Sequence, residues 1–112
     1  MKDDGVYLHH ILDAIETIER YTSVGRDRFM TESHWRDATI RQLEIIGEAA
    51  KQLSDDLRSR HPDVPWRRIA GLRDVLIHQY MGVDLNAVWE IAVRNIPTLK
   101  QQIESILASP GT

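Results

Sequence analysis

LNAVWEIAVRNIPTLKQQIESI, residues 85–106, decides the fold. Leu85, Trp89, Ala92, Ile96, Leu99, Ile103 and Ile106 stand at alternating steps of four and three, a heptad seam that only an α-helix lays along one side. Such a seam packs against other helices, which the rest of the chain has to supply. Pro97 lies inside the pattern. It lacks an N–H, and its ring clashes with the carbonyl four residues back, which predicts a kink or a division near Asn95. Asp84 is placed to cap this helix at its start, and Gly82 to end the one before it.

Outward from the seam, the chain reads as helix almost throughout. Leu8, Ile11, Leu12, Ile15 and Ile18 make the apolar stripe of a helix from about Asp4 to Tyr21, with Gly25 in the loop that follows. A second helix begins near Ser33 and carries Trp35, Ala38, Ile46, Ala49, Ala50 and Leu53 on its apolar side. Residues 54–65, SDDLRSRHPDVP, start with capping residues and end with two prolines, a short helical turn and then a connection. A further helix runs from about Trp66 to Tyr80. No useful run alternates apolar with polar residues, so no strand is expected. The reading is all-α: an up-and-down four-helix bundle with room for a short fifth helix, forming a single domain over residues 1–112.

Composition sets the outer bounds. Apolar residues at 42% and charged residues at 28% belong to a chain that folds around a core rather than a disordered one. With no cysteine, disulfides, thiolate metal sites and cysteine nucleophiles are excluded, and a reducing cytoplasm is the natural setting. No apolar stretch approaches the ~20 residues that span a bilayer, and Asp3 and Asp4 stand where a signal peptide would be basic. A net charge of −3 argues against a general nucleic-acid coat, because non-specific affinity comes from many phosphate contacts. The charge is uneven, however. From Arg58 to His78 there are five arginines (Arg58, Arg60, Arg67, Arg68, Arg73) against Asp63 and Asp74, a basic segment suited to an anion or merely a solvated face.

Within that segment, Gly71-Leu72-Arg73-Asp74-Val75-Leu76-Ile77-His78-Gln79-Tyr80 concentrates the chemistry. Arg73 keeps its charge near neutral pH and His78 does not, so the pair offers one group to hold an anion and one to move a proton. On an ideal helix Asp74 and His78 fall within ~40° of each other and face outward, while Arg73 and Tyr80 fall within ~20° on the flank of the core. Arg73 and His78 are ~140° apart. Their convergence on one site needs a snorkelling arginine, a distorted helix or, the favoured solution, a second subunit.

The pattern R-D-x-x-x-H-x-Y, with Pro65-Trp66 before it, Gly47-Glu48-Ala49 in the second helix and Trp89 ahead of a proline-kinked last helix, resembles the HepT-like toxins of the HEPN superfamily over almost the whole chain. The bare arginine-to-histidine spacing is unspecific. Arg28 and His34 also satisfy it, at what reads as a loop and a helix start. The resemblance implies a homodimeric, metal-independent endoribonuclease toxin with the motif helices lining a shared cleft. It carries the catalytic arginine and histidine onto Arg73 and His78, the polar residue after the arginine onto Asp74, and the motif tyrosine onto Tyr80. It also implies a minimal nucleotidyltransferase antitoxin that transfers AMP to Tyr80. The family more often has asparagine at the place of Asp74. No cofactor is implied.

Metal-free RNA cleavage needs the 2′-hydroxyl deprotonated, the 5′-oxygen protonated and the charge of the phosphorane met. His78 can move the proton, and Arg73 can hold the phosphoryl oxygens by a two-point contact. Arg67 and Arg68 are weaker candidates for RNA contacts. A nucleotide on Tyr80 would set bulk and negative charge beside Arg73. The rival reading is a non-catalytic helical module that binds a nucleotidyltransferase partner or a nucleotide. His9, His10 and Asp13 lack a convincing third ligand and read as surface residues. The Glu44 and Glu48 pair is thin for a divalent ion. Trp35, Trp66 and Trp89 read as packing anchors.

Overall fold

In the computed structural model, residues 3–72, 74 and 85–109 are described. Helix α1 spans Asp4–Thr22, α2 Arg26–Thr31, α3 Ser33–Gln52, α4 Asp55–Arg60, α5 Trp66–Ala70 and α6 Leu85–Glu90. A π-helical turn, Ile91–Asn95, joins α6 to α7, Ile96–Ala108. Among the described residues there is no strand, and the fold is the expected all-α, HEPN-like bundle. None of the helices is long and apolar enough to cross a membrane, among the described residues.

Helix α1 forms because the stripe from Leu8 to Ile18 can be buried on one side. Leu8, Ile11, Ala14, Ile15 and Ile18 are all enclosed. The Asp3 carboxylate caps its first turn by accepting from the Val6 amide. α1 packs most extensively along α3, which buries Ile40, Leu43, Ile46, Gly47, Ala49 and Ala50, and next along α7. From α7 come Ile96, Leu99, Ile103 and Ile106, the second half of the heptad seam. One cluster of buried side chains joins all three helices.

The proline expectation is met in a specific form. The Ile96 amide bonds to the Ile91 carbonyl five residues back, and Pro97 occupies the first turn of α7, where its missing N–H costs nothing. This wide turn also resets the seam. Ahead of it Val88 is buried, while Leu85 and Trp89 are only half-buried; past it the seam residues lie inward as the sequence predicts. Trp89 meets Phe29 with ring centroids 5.0 Å apart.

Two expectations need correction. Arg28 does not lie in a loop: residues 26–31 form α2, a helix too short to show a stripe, entered through Gly25 at φ 95° and anchored by the fully buried Phe29. The helix expected to run unbroken from Trp66 to Tyr80 is interrupted, because α5 closes at Ala70 and Gly71 turns the chain before helical backbone resumes at Leu72 and Asp74. The expected ends at Tyr80, Gly82 and Asp84 lie outside the described residues.

The connection after α3 is fixed by polar contacts. Ser54 caps α4 by accepting from the Leu57 amide, and the Asp4 carboxylate accepts from the Ser54 amide (2.8 Å) and hydroxyl (2.7 Å), tying the start of α1 to the start of α4. Lys100 bridges α7 to α1 through Glu19 at 2.9 Å, and that hydrogen bond raises its pKa.

Candidate functional site

The motif is delivered by α5 and the turn after it. Pro65 presets the backbone ahead of Trp66, whose indole N–H donates to the His61 carbonyl at 2.9 Å while its ring is buried; Ile69 is buried one turn later. Helix α5 is thereby seated on α3 by two apolar side chains, and Leu72 packs half-buried against the same core.

Gly47 sets how closely α5 sits. A Cβ added there would stand 2.9 Å from the Ile69 carbonyl oxygen, 3.6 Å from that of Ala70 and 3.7 Å from the Leu72 Cβ. In mid-helix, glycine costs about 1 kcal/mol relative to alanine. Helix α3 gives up that propensity where the backbone of α5 comes closest. The sequence showed Gly47 only as part of Gly47-Glu48-Ala49; its physical role becomes visible once α5 is placed.

Of the expected site residues, Asp74 is helical and exposed. Arg73, His78 and Tyr80 lie outside the described residues. Arg67 and Arg68 are exposed on α5 and, among the described residues, neither takes part in an ion pair. They stand at the rim of an open groove of about 630 Å³ between α5 and α7, floored by Ile69, Leu72, Ile96 and Leu99. Such a groove, largely apolar and lined also by Arg67, Arg68 and Asp63, can seat a flat or aliphatic group beside charged side chains.

The other arginines of the basic segment are engaged locally. Arg58 pairs with Asp55, and Arg60 with Asp56 at 3.1 Å, both within α4. The rival pair is taken up as well. Arg28 donates to Glu32 at 2.8 and 3.2 Å and stacks 5.6 Å from the centre of Trp35, whereas His34 is exposed at the start of α3. The hydrogen bond from Arg28, helped by another from the Trp35 indole, lowers the Glu32 pKa to about 2. His9 and His10 are exposed, and among the described residues no group of three or more potential ligands is arranged to hold a metal ion. Glu44 receives Arg41 at 3.4 Å.

Comparison with known proteins gives this arrangement its context. Residues 11–106 match the family model described as "Ribonuclease HepT-like". A protein of Caldanaerobacter subterraneus subsp. tengcongensis named "Putative RNase" is 44% identical over 108 residues, covering 96% of each chain. One of Thermococcus cleftensis named "Probable ribonuclease HepT" is 43% identical over 101 residues, 89% of this chain and 92% of its own. A Methanocaldococcus jannaschii protein named "Gamma-glutamylcyclotransferase and putative RNase" is 46% identical over 107 residues; the match takes 95% of this chain and 48% of that longer one, about half its length. No solved structure matches. The chain belongs to the HepT-like ribonuclease family and is, by that membership, an RNA-cleaving enzyme.

Proposed function

We propose that residues 1–112 form one HEPN-like domain that acts in the cytoplasm as the toxin of a toxin–antitoxin pair, an endoribonuclease that cuts RNA by proton transfer and cation stabilisation without a metal. The observation that carries this reading is family membership across residues 11–106 together with an intact Arg73-Asp74…His78…Tyr80 set inside that span. His78 takes the proton of the 2′-hydroxyl or delivers one to the departing 5′-oxygen. Arg73 holds the non-bridging oxygens by two parallel N–H donors as charge builds on phosphorus. Asp74 orients the His78 imidazole from one turn away.

The ideal-helix geometry sets Arg73 and His78 on different sides, so a complete site draws the second group from another copy of the chain. A homodimer with paired motif helices supplies it. Arg67 and Arg68, uncommitted to ion pairs among the described residues and adjacent to the motif in sequence, contact phosphates flanking the scissile one. The proposed partner is a minimal nucleotidyltransferase antitoxin. It silences the toxin by placing AMP on Tyr80, where added bulk and charge compete with RNA for Arg73.

The test is induction of the wild-type chain without any partner, with growth and total-RNA integrity followed in parallel with the His78→Ala variant. Growth arrest and RNA fragmentation that vanish in the folded variant are expected. A folded, unmodified wild type that leaves RNA intact would shift the reading to a non-catalytic module that binds a nucleotidyltransferase or a nucleotide. Full silencing of Tyr80→Phe by the antitoxin would overturn the proposed switch.

A further inference from the structure

We infer that Gly47 is a positioning residue for the catalytic pair: it fixes where the chain enters the motif by letting the last carbonyls of α5 rest against α3. This inference depends on the reading above, in which Arg73 and His78 carry the chemistry.

Backbone geometry gives glycine no other reason to be there. Gly47 lies in the interior of the 20-residue α3, more than a turn from its end, and its φ is not in the left-handed region. What excludes a side chain is the close approach of α5. A Cβ would stand 2.9 Å from the Ile69 carbonyl oxygen, closer than real Cβ atoms come, and 3.7 Å from the Leu72 Cβ. Neither neighbour is the far end of a flexible side chain that can swing away. The first is main chain at the close of α5, held by the buried side chains of Ile69 itself and of Trp66 one turn before it. The second is the first atom of a side chain packed on the core. A substitution at Gly47 must therefore move the end of α5 rather than a side-chain tip. Leu72 directly precedes Arg73, and helical backbone is in place at Leu72 and Asp74, so that movement passes straight into the motif. Misplacing a catalytic group by about 1 Å costs on the order of 100-fold in rate.

The test compares Gly47→Ala with Gly25→Ala, which strains a surface turn at φ 95° with nothing within 4 Å of the added methyl. For each variant four quantities are measured: thermal midpoint, affinity for a single-stranded RNA whose 2′-hydroxyls are replaced by hydrogen, kcat on the cleavable RNA, and the NMR titration of the His78 ring, assigned with His78→Gln. Gly47→Ala is expected to fold, to bind the uncleavable strand within about three-fold of wild type, to lose at least about ten-fold in kcat, and to shift the His78 titration. Gly25→Ala is expected to lower the midpoint yet keep kcat per folded molecule and the His78 titration unchanged. Wild-type kcat and an unmoved His78 titration in Gly47→Ala would overturn the inference, as would equal losses in both variants that merely follow the folded fraction. Should Gly47→Ala not fold, Ile69→Val loosens the same seat from the α5 side and is judged by the same readouts. A wild type that cuts no RNA would end the nuclease reading, while the His78 titration would still decide whether Gly47 positions the motif.

Discussion

Two of the helices packed on α3, α1 and α5, rest on it in different ways. Against α1 the contact is made of side chains, with Leu8, Ile11, Ile15 and Ile18 of α1 and Leu43, Ile46 and Ala50 of α3 all buried in one core cluster. Against α5 the buried side chains of Trp66 and Ile69 are joined by a main-chain approach, with Gly47 under the Ile69 carbonyl. Side-chain layers hold much apolar area and repack when a methyl is lost, so they supply stability and tolerate change. A main-chain approach has no rotamer to adjust. It sets a distance, which is what the proposed positioning of the motif requires. On α3 the residues for these two tasks sit within ~40° of one another, since Leu43 and Gly47 are four positions apart.

That division predicts separable effects. The largest change in stability belongs to the aliphatic layer. Leu43→Ala, at a fully enclosed site, should cost about 2–5 kcal/mol in urea unfolding while leaving nuclease turnover per folded molecule unchanged. A parallel fall in turnover would show that the two contacts are not independent. Gly25→Ala should cost about 1–3 kcal/mol, since φ 95° with ψ 159° is a backbone region that glycine alone occupies cheaply. Ser54→Ala removes the α4 cap and one of the two Asp4 contacts, and should cost about 0.5–2 kcal/mol with no effect on turnover.

The smallest effect concerns pH. With the Glu32 carboxyl held near 2 by Arg28 against an ordinary 4.5, its contribution is complete above pH 4.5 and is lost as the pH falls from 4.5 through 2. Both partners stand in water, so salt should shrink the effect. Comparing acid unfolding of wild type and Glu32→Gln at low and high salt checks this. The acid-dependent part should be reduced in the variant, and the difference should narrow at high salt.

Much of the fold was legible because long helices advertise themselves. The stripe from Leu8 to Ile18 and the heptad from Ala92 to Ile106 gave α1 and α7 their buried faces, and Pro97 marked the place where the last helix changes pitch. Helix α2 was missed because six residues hold little more than one turn; Phe29 alone is buried there. The break at Gly71 was written in the sequence, but the apolar residues on both sides of it, Ile69 and Leu72, masked it as one continuing stripe. The basic segment left two readings open, an anion site or a solvated face, and its arginines divide between them. Arg58 and Arg60 turn back onto acids three and four positions away within their own helix, and only Arg67 and Arg68 stay exposed without an ion pair among the described residues. Asp55 and Asp56 in the first turn of α4 were the signal for that pairing. The close approach at Gly47 was beyond any one-dimensional reading, because it depends on how far α5 descends onto α3.

In the proposed mechanism Arg73 and His78 cut RNA through its own 2′-hydroxyl. Incubating purified wild type, Arg73→Ala and His78→Ala with a defined single-stranded RNA in excess EDTA, and identifying the new ends, tests it most directly. Cleavage by wild type to 2′,3′-cyclic phosphate and 5′-hydroxyl ends, falling by on the order of 10² to 10⁴ in each folded variant, is the predicted result. Wild-type rates in His78→Ala, or activity that EDTA abolishes, would contradict it.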